Sequence, residues 1–282
     1  MKKTILFMCL AGLILSVQAQ ETDGMVSKKG IPILPEQGDI AVAINAVPVF
    51  NFIGNMFNGT VGNTVGWSYM SDWTNSNSIY LQYYLEENVS ARVGFRFANN
   101  QAINQEFVVK DETPIPDPDV LVTDKLVTNN TNLNLNAHYL MHRGKGRVQG
   151  YYGAGIALMY RTNSQKYTYG NPITSTFTSP ETHDFGANIT GSGRITEVKN
   201  IVSIGAGLQA VIGVEYFVAP KFSIGGEFGY GVMFIRNNGG TLVEERWNGL
   251  EIETEETVTA NDGGIYLDNT NFGGGIYLKF HF

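Results

Sequence analysis

Cysteine is almost missing from this chain: among 282 residues there is only Cys9, inside an apolar run near the N-terminus. Disulfide scaffolds, thiol catalysis and cysteine-bound metals are therefore excluded for everything after that run. Charge is scarce too. Asp, Glu, Lys and Arg make up 16% of the residues, against roughly 25% in soluble domains. With 19 basic and 26 acidic residues the net charge is −7, which argues against a nucleic-acid surface. Long apolar runs are lacking as well. The stretch from Ile5 to Val17 is too short to cross a ~30 Å hydrocarbon core as a helix, and no later stretch reaches the ~18 apolar residues required.

Glycine, by contrast, is abundant at 33 residues, accompanied by 16 Phe and 14 Tyr, and the mean hydropathy of −0.09 is too high for a disordered chain. Lys2 and Lys3 precede the first apolar run and Val17-Gln18-Ala19 follows it, which predicts a signal peptide over 1–19 cleaved to leave Gln20 first.

Beyond it the dominant signal has period two. Val202, Ile204, Ala206, Leu208, Ala210, Ile212, Val214 and Tyr216 alternate with Ser203, Gly205, Gly207, Gln209, Val211, Gly213 and Glu215. Successive side chains of a strand point to opposite faces, whereas a helix would break this register within one turn. The alternation predicts eight strands, near 39–53, 78–85, 89–99, 131–142, 148–161, 201–216, 222–236 and 270–282. One face is apolar or aromatic throughout. The other carries Gly, Ser, Asn, Gln or charge, and so much glycine suits the tight inside of a narrow barrel better than the wet exterior of a soluble sandwich. Short connections at 86–88, 143–147 and 219–221 alternate with long ones at 54–77, 100–130, 162–200 and 237–269. That is the pattern of a transmembrane antiparallel up-and-down β-barrel with short periplasmic turns and long extracellular loops. The expected layout is a signal peptide over 1–19, a periplasmic N-terminal tail over 20–38 and a barrel over 39–282.

The C-terminus, Ile276-Tyr277-Leu278-Lys279-Phe280-His281-Phe282, looks like the closing strand of outer-membrane barrels, and the mature chain is similar in layout to the small OmpA/OmpX-type barrels. Gly38-Asp39-Ile40-Ala41 and Ala219-Pro220-Lys221-Phe222-Ser223-Ile224-Gly225-Gly226-Glu227-Phe228-Gly229 resemble an uncharacterised family of outer-membrane β-barrel domain proteins. The resemblance implies a bacterial outer-membrane location with both termini periplasmic and outer-membrane lipid as the surrounding partner. It also implies delivery by the barrel assembly machinery through the strand ending at Phe282. It implies no particular activity.

Parity turns five charges inward: Arg92, Arg96, Glu215, Glu227 and Lys279. Isolated charges in a narrow lumen would be heavily desolvated, so these are expected to form an ion-pair network. A gated ion path is the sharper alternative. Catalysis has thinner support: His138 has Asn136 and Leu140 as same-face neighbours, His142 stands at a turn, His183 in a long connection and His281 beside the chain end. Gly205-Ala206-Gly207-Leu208-Gln209-Ala210 fits a dinucleotide fingerprint, but strand alternation runs straight through it where a helix is required. No enzyme, cofactor or metal is expected.

Asn248-Gly249 in the last long connection signals a two-residue hairpin turn, which would set Arg246 opposite Glu251 and Glu244 opposite Glu253. Glu251, Glu253 and Glu255 then form an acidic face without the loop of a calcium site. Trp247, Leu250 and Ile252 form an apolar one, a candidate contact for an extracellular protein or glycan. The expected function is a non-enzymatic barrel with a closed lumen and loops for contact or shielding. The alternatives are a narrow channel, an accessory subunit of a secretion or uptake complex, and an outer-membrane lipid or peptide hydrolase.

Overall fold

A computed structural model describes residues 25–46, 79–144, 146–187, 193–268 and 275–282. The expected signal segment, the connection 54–77 and the start of segment 270–282 lie outside these. The described residues form only strands: β1 (Ile40–Asn45), β2 (Ile79–Glu86), β3 (Val89–Val109), β4 (Leu121–Arg143), β5 (Val148–Thr168), β6 (Arg194–Ala219), β7 (Phe222–Asn238), β8 (Thr241–Trp247), β9 (Ile252–Val258), β10 (Asp262–Asp268) and β11 (Gly275–His281). No helix among them is long and apolar enough to cross a membrane, which bears on helices alone.

The sheet is antiparallel, and eight of its strands close a ring in the order β1 to β7 followed by β11, which pairs back onto β1. Each of the eight alternating sequence segments supplies one of them. Side chains follow the expected parity. Along β5 the outward residues Val148, Tyr152, Ile156, Leu158 and Tyr160 are exposed, while Gln149, Tyr151, Ala157 and Met159 are buried inside. The interior is narrow enough that Gly213 has no room for a side chain, since a Cβ there would stand 2.3 Å from the Tyr151 ring.

The connection 100–130 turns out to be mostly strand, and the connection 162–200 is strand at both ends. β3 runs on to Val109 and β4 starts at Leu121, leaving only a tip between them; β5 reaches Thr168 and β6 begins at Arg194. Alternation is lost at about Asn99 because the outward face there becomes polar as well. The ladder continues through side-chain bonds, Asn99 Nδ2 to Thr131 Oγ1 at 3.0 Å and Gln101 Nε2 to Asn129 Oδ1 at 2.9 Å. Past this row the inward face carries an apolar cluster beside the buried Asp124, whose carboxylate accepts from the Gly170 and His183 amides. Leu126, Tyr167 and Ile195 are buried with Val198 and Leu242 beneath Tyr169, Phe185 and Ala187 of the β5–β6 connection.

The last hairpin also differs from expectation. β8 is β7 continued, because Val202 faces Asn238 and Lys199 faces Thr241 in one unbroken register along β6. On the returning side Val258 faces Thr241 and Asp262 faces Asn237, again in one register. The only break is Gly239-Gly240, where a Cβ on Gly239 would meet the Thr259 carbonyl oxygen at 2.0 Å. These glycines mark a close backbone approach, so the flexible hinge that Asn-Gly-Gly suggests is absent. The turn has four residues, 248–251, and not two. Asn248 Oδ1 accepts from the amides of both Leu250 and Glu251 at 2.9 Å, and this places Arg246 opposite Glu253 and Glu244 opposite Glu255.

The N-terminal tail is folded against the ring over its described part. Ser27 Oγ accepts from the amides of Lys29 and Ile31, Met25 and Ile33 are bonded, and Gly38 donates to the Tyr84 carbonyl at 2.9 Å. Ile33 is buried, and Met25, Pro32, Leu34 and Pro35 face Glu87, Asn88, Gly144 and Gln149 across a cleft of about 310 Å³. This strap therefore lies across the short-turn end of the ring.

Candidate functional site in the ring interior

All five inward charges assigned by parity are buried. Glu227 on β7 and Arg92 on β3 form a two-pronged ion pair, with Arg92 Nη2 3.0 Å from Glu227 Oε1 and Nη1 on Oε2. Counting either way round the ring, β3 and β7 are four strands apart, so this pair crosses the full width of the interior. Tyr151 Oη donates to Glu227 at 2.9 Å, Tyr277 Oη lies 3.4 Å from its other oxygen, and the Arg92 guanidinium sits 4.8 Å above the Tyr80 ring. Each charge thus has several partners. That matters, because burying an ion pair is tolerable only when the remaining lone pairs and protons are also satisfied.

A second knot lies closer to the strap. Lys279 Nζ contacts Glu215 Oε2 at 2.9 Å and Gln82 Oε1 at 3.1 Å. Glu215 Oε1 accepts from Ser223 and lies 3.2 Å from His281 Nε2. Gln82 Nε2 donates to Ser90 Oγ at 2.8 Å, and Ser90 Oγ lies 2.8 Å from His142 Nε2. Arg96 is buried on the same inward face, four residues beyond Arg92 along β3.

The charges alone do not reveal the neutral partners Gln82, Ser90, Tyr151, Ser223 and Tyr277, and His142 and His281 look isolated within their own segments. Parity alone would have found them: Ser90 is two residues from Arg92, His281 two from Lys279 and Ser223 four from Glu227. A serine thus does stand beside each of these histidines, contributed by the neighbouring strand.

The cluster lacks the arrangement of a hydrolytic triad. A triad holds serine and carboxylate on opposite nitrogens of the imidazole. Here Ser223 at 3.1 Å and Glu215 at 3.2 Å both meet Nε2 of His281, and Ser223 donates to the carboxylate itself. Ser223 and Glu215 have no exposed surface. The geometry crosslinks β6, β7 and β11 and leaves no access for a substrate.

The candidate surface residues fall apart into unequal positions. Trp247 is half-buried and faces Ile252 across the hairpin, whereas Leu250 at the tip is 89% exposed. Val243 is buried and Leu242 belongs to the upper apolar cluster. Glu253 and Glu255 each approach Arg246 at 3.2 Å. Among the described residues no group of three His, Cys, Asp or Glu is placed to hold a metal ion. In the same upper region Arg194 stacks 4.3 Å above the Tyr169 ring and pairs with Glu245 at 2.7 Å. Burial pushes the Tyr169 phenol up against the pull of Arg194, keeping it a donor to the Ile195 carbonyl.

Compared with models of protein families the chain matches none, and no curated protein matches it either.

Proposed function

We propose that the chain is a non-enzymatic outer-membrane β-barrel of the OmpA/OmpX layout, with a lumen closed by ion pairs and both termini in the periplasm. The upper sheet and hairpin face outward for contact or shielding. One observation carries this: the ring is inside out for a water-soluble protein. Its inward face holds the paired charges, while its outward face is apolar from Val148 to Tyr160 on β5 and then polar at Thr162, Ser164, Lys166 and Thr168. At ~3.3 Å per residue and a tilt near 40° that apolar stretch spans on the order of 30 Å, the thickness of a hydrocarbon core.

Lipid is the solvent that suits such a wall, and a pair across the whole diameter blocks the lumen, so the narrow-channel alternative loses its path. The interior serine and histidine side chains belong to that filling. A pair of substitutions tests the proposal. Ile156→Arg lies mid-band and should cost about 2–4 kcal/mol of stability in vesicles, whereas Ile103→Arg, equally exposed but above the band, should cost under about 1 kcal/mol. Equal, negligible effects of the two would refute insertion by this band, and channel-like conductance of the wild type in planar bilayers would refute the closed lumen.

A further inference from the structure

At the outermost end of the wall, the β3–β4 tip and the start of the β5–β6 connection enclose an open cleft of about 440 Å³, lined by Lys110, Asp111, Thr113, Asn171, Thr174, Thr176 and Phe177. Its floor is built around Asn171, which is 1% exposed. The Asn171 side chain donates to the carbonyls of Val109 at 2.8 Å and Glu181 at 3.0 Å and accepts from the Asp111 amide at 3.0 Å. Its own carbonyl accepts from Arg194 at 2.7 Å. Asp111 ties back to the Glu181 amide at 3.2 Å, and Thr174 and Phe177 close a small turn through the Thr174 hydroxyl and the Phe177 carbonyl. Two connections that would otherwise move independently are thereby locked together, and the cleft exists before any ligand arrives.

We propose that this cleft is a carbohydrate-binding site. Its size lies within the ~300–1,000 Å³ usual for small-ligand sites. The lining has the chemistry sugars require. The Asp111 carboxylate and the Thr113, Thr174 and Thr176 hydroxyls can accept from or donate to vicinal hydroxyls, and the half-exposed Phe177 ring offers an apolar surface to the C–H face of a pyranose. Lys110 is engaged by Glu112, which leaves Asp111 as the one uncompensated charge of the lining, a sign that disfavours a phosphate. An open, shallow, preordered shape fits the end or edge of an oligosaccharide. The proposal deepens the contact role suggested above and relies on that reading only for which side of the membrane the cleft faces.

The test uses the refolded mature chain in detergent, fluorescently labelled, on a printed array of neutral and acidic glycans, with Phe177→Ala and Thr113→Val on the same array. The expected result is a set of signals that Phe177→Ala lowers by about tenfold or more and Thr113→Val weakens, with heat-modifiability of both variants unchanged. Trp247→Ala, on the separate hairpin, should bind as the wild type does. An empty array, signals indifferent to Phe177→Ala, or capture only of peptides from a parallel peptide array would each overturn the assignment. Because the array needs no membrane, a positive result alongside a failed Ile156→Arg test would keep the site and discard the barrel, and the converse pattern would do the opposite.

Discussion

Arg92 and Glu227 lie 135 positions apart in the chain and on opposite walls of the ring, yet they meet in a two-pronged pair at its middle. Arg246 and Glu253 form an ion pair through a single contact only seven positions apart, on the surface of a hairpin with both side chains nearly half exposed. Chemically alike, the two pairs stand in environments that should make them energetically unlike.

Glu227→Gln leaves the Arg92 charge without its counter-ion in a buried site, which typically costs about 3–5 kcal/mol. The urea midpoint of the refolded protein should fall accordingly, and Arg92→Met combined with Glu227→Gln should recover part of the loss, a coupling that a double-mutant cycle reads directly. Arg246→Ala removes only solvent-screened contacts worth about 0–1 kcal/mol and should leave the midpoint where it was. Equal effects of Glu227→Gln and Arg246→Ala would show that the interior pair is hydrated.

The ring strands and the inward side of the charges were legible because a mainly apolar outward face alternates with a mostly small or polar inward one between Val148 and Tyr160, or between Val202 and Tyr216, with Tyr151, Met159 and Val211 as inward exceptions. Legibility failed wherever that contrast vanished. Asn99, Gln101, Asn129 and Thr131 are strand residues whose outward face is as polar as a loop, so their pairing has no periodic signature. In the hairpin, the side chain of Asn248 decides the register by capturing two amides, a choice that the Asn-Gly pair alone does not specify. The strap was read as a tail because Ile33 and Pro35 are too few to stand out, although burial of both against the ring end needs no more than that. Pairings such as Ser90 with His142 depend on which strands become neighbours, and this is a property of the closed ring and not of any one segment.

Since β8 continues β7, deleting 241–259 should separate the upper sheet from the ring in its response. The apolar band loses nothing, so membrane insertion and heat-modifiability should persist. Leu242, however, packs with Ile195 and Val198, and burying a Leu side chain is worth on the order of 2 kcal/mol. Hydrogen exchange at 194–199 should therefore rise well above wild type while that at 205–215 stays slow. Unchanged exchange at 194–199 would mean that β8 contributes no protection to β6.

The strap invites removal. Asp39 holds Lys221 by an ion pair and Gly38 donates to the Tyr84 carbonyl at 2.9 Å, so deletion of 25–36 keeps the ring anchor and strips only the cover. Amides at 80–84 and 279–281 should exchange faster once Ile33 and Pro35 are gone. Conductance should stay at baseline, because Arg92 and Glu227 still span the lumen above the vacated end. A deletion variant that conducts would identify the strap, and not the diametral pair, as the seal.

Protease access to intact cells checks orientation, and the extended strands sharpen what it should find. If the long connections were unstructured, proteinase K would cut anywhere over 100–130. With β3 and β4 paired as far as Val109 and Leu121, cleavage should be confined to the tip, 111–120, where Ile115 is 79% exposed and the backbone leaves the ladder. A cut requires a stretch of chain free of sheet hydrogen bonds, which neither flank can supply without unzipping. The β4–β5 turn at 143–147 should resist until the outer membrane is permeabilised, since it lies with the strap at the other end of the ring. Cleavage there in intact cells, with the 111–120 tip spared, would turn the molecule over in the membrane and put the cleft proposed above to bind sugar on the periplasmic side.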